Sequence, residues 1–282
     1  MSIAVEELAD LLARVRERAP GLVVSLSGRY TVVGDLHGDY RTLRQVLNDF
    51  ESPYLFLGDY VDRGDMGLEV VEEVFRLFVE GRAVALRGNH ESPIMNVDGG
   101  FLDELCEKVG SKCGEVYAEF ERTFARLPLA AVINQEAVAL HGGIPLRAGM
   151  SPATLEDVKS VSGDLTIPAD PIAFQVLWND PCEECADYAP SPRGPGAWLF
   201  GASVTAAFHR AGGTSVLIRG HTYTPRGCAI SHGGTVITVF SSAAPPYRET
   251  RPKIAVVGRG IEVFDVYAKR PVSRAEMKPL WL

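Results

Sequence analysis

Gly34-Asp35-Leu36-His37-Gly38, Gly58-Asp59-Tyr60-Val61-Asp62-Arg63-Gly64 and Gly88-Asn89-His90-Glu91 decide how this 282-residue chain is read. Each cluster sets oxygen and nitrogen ligands beside glycine, and each follows an apolar run. A sheet delivers several side chains to one point in this way, from the loops at its strand ends. Two more histidines share the context: His141 follows Val138-Ala139-Leu140, and His221 follows Val216-Leu217-Ile218-Arg219-Gly220. Glycine next to a ligand lets the backbone turn tightly there. One histidine beside glycine is usually structural, but four of the six histidines lie in this context, which points to a shared centre. Carboxylate, imidazole and amide oxygen together suit Mn, Fe or Zn better than Mg or Ca. Two such ions side by side can activate water and stabilise both ends of a phosphoryl transfer.

Outward from these clusters, hydrophobic spacing assigns the elements. Val5, Leu8, Leu11, Leu12 and Val15 predict an N-terminal helix over 4–19, ended by Pro20-Gly21. Leu22 to Leu26, Tyr30 to Val33, Tyr54 to Leu57 and Ala83 to Leu86 read as strands, with helices over Tyr40 to Phe50 and Gly67 to Glu80. This alternation implies a mainly parallel sheet covered by helices. Phe101 to Arg126 reads as two helices broken near Gly110-Gly114, and Ala130 to Ile133 and Ala137 to Leu140 as a hairpin. Thr154 to Val161 and Ser203 to Ala211 read as helices, and Pro181 to Pro195 as a long loop. The later strands, Thr214 to Ile218, Cys228 to His232, Thr235 to Phe240, Lys253 to Val257 and Ile261 to Tyr267, have no helices between them. The expected architecture is α/β: two packed sheets with helices outside, a single domain over 1–282 with a short tail over 268–282.

The net charge of −8 argues against general nucleic-acid binding, which wants a basic face. The N-terminal segment carries Glu6, Glu7 and Asp10 and no secretory pattern, and no run is long and apolar enough for a membrane span, so a cytoplasmic protein without membrane contact is expected. Five cysteines, an odd count, make a disulfide framework unexpected. Cys182 and Cys185 form a lone CxxC, short of the four ligands of a structural zinc site; inert thiols or a local disulfide are expected. Scarce Asn and Gln with Arg in excess of Lys fit either a heat-adapted source or GC-rich coding.

The three opening motifs, Leu86-Arg87 leading into the third, His141-Gly142-Gly143 and Arg219-Gly220-His221 together resemble the phosphoprotein phosphatase family of metal-dependent serine/threonine phosphatases. The resemblance runs from about Thr31 to Tyr247 and is to the catalytic core of the protein phosphatase 1 and 2A types, in an archaeal or other prokaryotic member. It implies the calcineurin-like metallophosphoesterase fold, a central two-sheet β-sandwich flanked by helices. It implies two divalent ions, with manganese expected and iron or zinc as alternatives. Asp35, His37 and Asp59 would hold the first, and Asp59, Asn89, His141 and His221 the second, with Asp59 shared. Hydroxide held between the ions would attack phosphorus directly. His90 would protonate the leaving oxygen, oriented by Asp62. Arg63, Arg193 in Ser191-Pro192-Arg193-Gly194, and Asn89 would bind phosphate oxygens, for which planar arginine is suited. Tyr247 matches a family tyrosine that leans over the metals from a late loop.

The implied substrate is a phosphorylated protein or peptide, with any regulatory subunit not identifiable from the sequence. Leu177-Trp178-Asn179-Asp180-Pro181 and Tyr60 resemble the protein phosphatases rather than the dinucleoside polyphosphate hydrolases of the same superfamily. Two departures stand out. The approach to Tyr247, Phe240-Ser-Ser-Ala-Ala-Pro-Pro-Tyr247-Arg248, is longer than in eukaryotic members and lacks the cysteine that follows their tyrosine. Gly220-His221-Thr222 also occurs in bacterial and polyphosphate-hydrolysing relatives. A diadenosine tetraphosphate-type or small phosphoester hydrolase therefore stands as the alternative. A non-catalytic phosphoprotein-binding module would be marked by a missing ligand, and none is missing.

Overall fold

A computed structural model describes residues 5–148 and 151–277. In chain order the elements are α1 (Val5–Arg18), β1 (Val23–Leu26), β2 (Tyr30–Val33), α2 (Tyr40–Asp49), β3 (Tyr54–Phe56), α3 (Gly67–Val79), β4 (Ala83–Ala85), α4 (Pro93–Gly99), α5 (Phe101–Val109), α6 (Cys113–Phe124), β5 (Ala130–Ile133) and β6 (Ala137–Leu140). There follow α7 (Leu155–Ser160), α8 (Pro171–Trp178), β7 (Asp180–Pro181), β8 (Tyr188–Pro190), β9 (Trp198–Phe200), α9 (Ala202–Gly212), β10 (Val216–Arg219), β11 (Cys228–Ser231), β12 (Val236–Val239), β13 (Lys253–Val257) and β14 (Ile261–Asp265).

Two sheets carry the fold. One is ordered β1-β5-β6-β10-β12-β11, the other β14-β13-β2-β3-β4. The β2-β3-β4 ladder is parallel, as is β6-β10-β12. Successive residues of a strand face opposite sides, and burial divides along that period. Val32, Leu55, Ala255 and Val257 face inward and meet Ala131, Ala137, Ala139, Ile218 and Val239 of the other sheet. Their neighbours Val33, Tyr54, Phe56, Ile254 and Val256 face outward and are covered by apolar residues of α1, α3, α5 and α6. On the far side Val138, Leu140, Leu217 and Val236 are covered by α7, α8 and α9. Both sheets are thus buried on both faces, which is why their strands read as continuous apolar runs. This is the expected sandwich flanked by helices.

The expected elements are present with ends shifted by one or two residues. Four features differ. Pro181 to Pro195 is not one loop: β7, β8 and β9 pair there as a small third sheet. The strands are too short to show a period of two. Helices α4 and α8 had no sequence expectation. Each begins on proline, after Ser92 and Asp170, and Asp170 accepts hydrogen bonds from the backbone of Ile172 and Ala173. Four of the five cysteines pair in short-range disulfides, Cys106–Cys113 and Cys182–Cys185, with Cα separations of 4.8 and 5.4 Å; Cys228 is free and buried. Cys182–Cys185 is the local disulfide the sequence allowed; the expectation of no disulfide framework is corrected by Cys106–Cys113, because the helix break at 110–112 folds Cys113 back onto the end of α5. Ala4, from the expected helix 4–19, and residues 278–282, from the expected tail 268–282, lie outside the described residues.

Phe75 is fully buried, with its ring 6.4 Å from both Tyr60 and Phe124. Phe75→Ala should cost about 3–5 kcal/mol in a denaturation experiment. Val97→Ala, on an exposed face of α4, should change stability by less than about 0.5 kcal/mol. Comparable losses would contradict this placement of Phe75.

Candidate metal centre

Asp35 and His37 follow β2, Asp59 follows β3, Asn89 follows β4, His141 follows β6 and His221 follows β10. All six lie at strand ends, are almost fully buried, and converge from both sheets. Convergence demands unusual backbone. His37, Asp59, Asp62, Arg63 and His221 all have positive φ, between 45° and 72°. For residues with a Cβ that conformation costs on the order of 1 kcal/mol or more each, and such strain gathers at functional sites. Glycine is required where loops touch: a Cβ on Gly88 would strike the Asp59 carboxylate and backbone, and one on Gly220 would strike Asp35 Oδ1.

Hydrogen bonds fix how the imidazoles face. Val61 O lies 3.0 Å from His37 Nδ1, and Leu57 O lies 2.9 Å from His141 Nδ1. A carbonyl oxygen can only accept, so each Nδ1 carries the hydrogen and a neutral ring turns its Nε2 lone pair into the cluster. There His37 Nε2 meets Asp59 Oδ2 at 3.5 Å and Asp35 Oδ2 at 3.8 Å. His141 Nε2 lies 2.9 Å from Asn89 Oδ1 and 3.3 Å from Asp59 Oδ1. His221 Nδ1 lies 2.8 Å from the same Asn89 oxygen. For His37 and His141, lone pairs therefore point at lone pairs. A proton on one ring relieves one contact, but Asp35 Oδ2 is buried with no hydrogen-bond partner at all. Burial and then the neighbouring Asp59 charge push the Asp35 carboxyl up to about 6, and burial pushes His37 down to about 3. The donor set fits hard or borderline divalent cations, with ring nitrogens oriented by backbone carbonyls as metal ligands commonly are. Two groupings share Asp59: His37, Asp59 and His90, and Asp59, His141 and His221.

His90 and Asp62 form a pair beside this cluster. His90 Nδ1 lies 2.7 Å from Asp62 Oδ2. Asn96 of α4 donates to Asp62 Oδ2 at 3.0 Å and to His90 O at 2.7 Å, and Phe101 N donates to Asp62 Oδ1 at 3.0 Å. Burial alone would lower the His90 pKa, but the charges of Asp59 and Asp62 outweigh it and raise it. Tyr247 stacks on His37, ring centroids 5.4 Å apart, and burial lifts its phenol to about 12. Arg63 is exposed at the rim, near enough for its charge to act on both His90 and Tyr247. Arg193 reaches the other rim, where Asp180 accepts from its guanidinium and His221 O lies 3.4 Å from Nη2. The structure thus brings the six candidate ligands together with His90, Asp62 and Tyr247, and sets Arg193 beside His221.

Three supports were missed. Glu91 accepts backbone N–H groups from Asp59 and Gly88 at 2.8 Å and from Tyr60 at 2.9 Å, which ties the second motif to the third. Arg219, fully buried, donates to Gly142 O, to Thr222 Oγ1 and to Asp180 Oδ1. Asp180 holds Arg219, Arg193 and Thr222 together. All three residues stand inside quoted motifs, yet only tertiary contact reveals what each binds.

This geometry defines a metallophosphoesterase-type centre. The chain belongs to the calcineurin-like phosphoesterase family, whose pattern it matches over residues 28–225. It is 32% identical over 256 residues to a probable serine/threonine-protein phosphatase of Encephalitozoon cuniculi, covering 86% of this chain and 54% of that one. It is 36% identical over 234 residues to serine/threonine-protein phosphatase 5 of Solanum lycopersicum, covering 80% of this chain and 40% of that protein. The chain therefore spans about half, or less, of these relatives' lengths. A solved protein serine/threonine phosphatase from Saccharomyces cerevisiae, with similarity to a human phosphatase, superposes with a TM-score of 0.82 at 28% identity over 93% of this chain and 90% of that one. A cold-active protein tyrosine phosphatase shares the fold at 13% identity, with a TM-score of 0.64 over 95% of this chain and 85% of its own.

Burial alone would raise the Asp180 pKa, but Arg219, His221 and Arg193 outweigh it and hold the carboxyl well below its ordinary range. Removing one partner strands a buried charge on Arg219, so Asp180→Asn should destabilise the protein by about 3 kcal/mol near neutral pH. A depressed carboxyl stabilises above its unfolded pKa, near 3.9, and the contribution vanishes as pH falls through the lower folded value. The stability gap between wild type and variant should therefore shrink below about pH 4 in denaturant titrations. A gap that stays constant down to the lowest pH at which the protein folds would remove the ion-pair account.

Proposed function

We propose that this chain is a protein serine/threonine phosphatase, with residues 1–282 acting as one catalytic domain that hydrolyses phosphorylated protein or peptide. The observation that carries this reading is the convergence of six buried ligand-type side chains with a His90–Asp62 pair and two arginines at one point. The similarity to serine/threonine-protein phosphatases supports the same class.

In this reading Asp35, His37 and Asp59 hold one divalent ion, and Asp59, Asn89, His141 and His221 hold the other. Manganese is the proposed metal, with iron or zinc also suited to these donors. When bound, such a pair polarises phosphate oxygens and acidifies water near them. Arg63, Arg193 and Asn89 bind the phosphate oxygens in this reading. Asp180 keeps the Arg193 guanidinium in place before substrate arrives. Asp62 occupies Nδ1 of His90, which leaves Nε2 to donate a proton to the departing alcohol oxygen. Asp62 also stabilises the imidazolium, as a carboxylate partner does for a catalytic histidine. Tyr247 covers His37 and limits water on that side.

The reading is tested by initial phosphate release from metal-stripped protein, given a phosphothreonine peptide or diadenosine tetraphosphate, with manganese, magnesium or nothing added. Manganese-dependent turnover of the peptide supports a protein phosphatase; the reverse preference moves the function to polyphosphate hydrolysis, and no turnover of either supports a binding module. Asp59→Asn removes the shared ligand and should lower turnover to background while leaving the melting temperature of the metal-free protein within a few degrees.

His90→Asn separates the proton donor from the metal ligands. A phosphoserine alcohol needs its proton as it leaves, whereas a nitrophenolate needs little. The variant should lose roughly 10²–10⁴-fold on a phosphoserine peptide, the range general acid catalysis supplies, and much less on an aryl phosphate. Equal losses on the two substrates would take the acid role from His90.

A further inference from the structure

A row of rings leads outward from the metal centre. His37 stacks on Tyr247 at 5.4 Å with planes 30° apart, and Tyr247 lies 5.3 Å from Tyr223 with planes 31° apart. Phe240 props both tyrosines from the side, nearly perpendicular, at 4.8 Å from Tyr247 and 5.6 Å from Tyr223. His37 is buried, Tyr247 is half-buried and Tyr223 is 39% exposed, so the row ends in solvent. Tyr247 and Phe240 contact the last ring, and 39% of the residue is left to solvent.

The loop that presents Tyr223 is pinned on both flanks. Thr222 donates to Asp180 Oδ1 at 2.6 Å and accepts from Arg219 at 2.6 Å, while Thr224 is buried and directed at Cys228 O. Tyr223 projects between two residues that face inward. Its exposure differs in kind from that of Tyr267, at 42%, whose hydroxyl lies 2.7 Å from Thr42 Oγ1 and whose ring lies under Arg41. A rigidly held aromatic face open to solvent beside a reaction centre is a ready stacking surface, since aromatic pairs favour offset or edge-on contact with centroids 4.5–7 Å apart.

We propose that Tyr223 is a specificity-determining residue that stacks against an aromatic side chain flanking the phosphorylated residue of a peptide substrate. The inference rests on the phosphatase reading above. The two ring steps place Tyr223 no more than about 11 Å from His37, and an extended peptide advances about 3.3–3.6 Å per residue. A side chain one to three positions from the phosphorylated residue therefore reaches it. The aromatic surface comes from residues on two separate loops, the one after β10 and the one after β12, both of which also shape the metal centre.

The test uses phosphothreonine peptides identical except for phenylalanine or alanine at each of the three positions on either side. The ratio of kcat/KM for phenylalanine over alanine is the readout, in wild type, Tyr223→Phe and Tyr223→Ala. Wild type should prefer phenylalanine at one of these positions by roughly two- to tenfold, the gain expected of one aromatic pair. Tyr223→Phe should keep that ratio and Tyr223→Ala should bring it to one, with the change in KM. Tyr223→Leu, which fills similar space without a π face, replaces alanine if that variant does not fold. Peptide turnover with no preference at any position, or a preference that survives Tyr223→Ala, overturns the inference and leaves the phosphatase reading standing. Turnover of diadenosine tetraphosphate but of no peptide overturns both, and a loss of that turnover in Tyr223→Ala would assign the surface to a nucleobase instead.

Discussion

The structure depends on bringing ligand-type oxygens and nitrogens together with too few donors to answer them all. Leu57 O and Val61 O hold the Nδ1 hydrogens of His141 and His37, so both rings turn lone pairs toward Asp59, Asp35 and Asn89. Asp35 Oδ2 completes the set with no partner of its own. A buried carboxylate left unpaired is costly, and the usual escape is to take a proton or a cation. Every other feature of the site serves this concentration. Glu91 gathers three backbone N–H groups to fix the loops, five residues accept left-handed backbone, and glycines clear the space where loops cross.

The sandwich is what makes such crowding possible. Strands buried on both faces are rigid, because their alternate side chains are locked into two separate cores. Loops that leave adjacent strand ends of two sheets then have few places to go. The third, small sheet of β7, β8 and β9 extends that logic to Arg193, which comes from a segment without strong hydrophobic pattern yet is held by Asp180 at the start of β7. The Cys182–Cys185 disulfide closes the same segment immediately after β7.

The candidate ligands were legible because each carries its own local signal. An apolar run followed by Gly-Asp or Gly-Asn occurs three times, and His141-Gly142 and Gly220-His221 after two further runs reinforce it. The helices α4 and α8 were not legible, since α4 runs into Gly99-Gly100 within two turns and α8 is apolar nearly all round, so neither shows a one-sided pattern. Asn96 was hidden with α4, although it holds both His90 and Asp62. Asp180 and Arg219 could be read as motif letters but not as a pair, because 39 residues and three elements separate them.

The sequence by itself determined the chemistry: which side chains are present, their strand-end setting, and through the motifs the family to which they belong. Those properties are local, fixed by residue type and by the apolar runs that precede each ligand. Only the tertiary structure decided which nitrogen of each histidine faces the centre, which carbonyl holds the other, and where Arg193 is anchored. It alone placed Tyr223 at the open end of a row of rings. These depend on contacts between segments far apart in the chain, and a hydrogen bond between distant residues leaves no mark on the sequence near either of them.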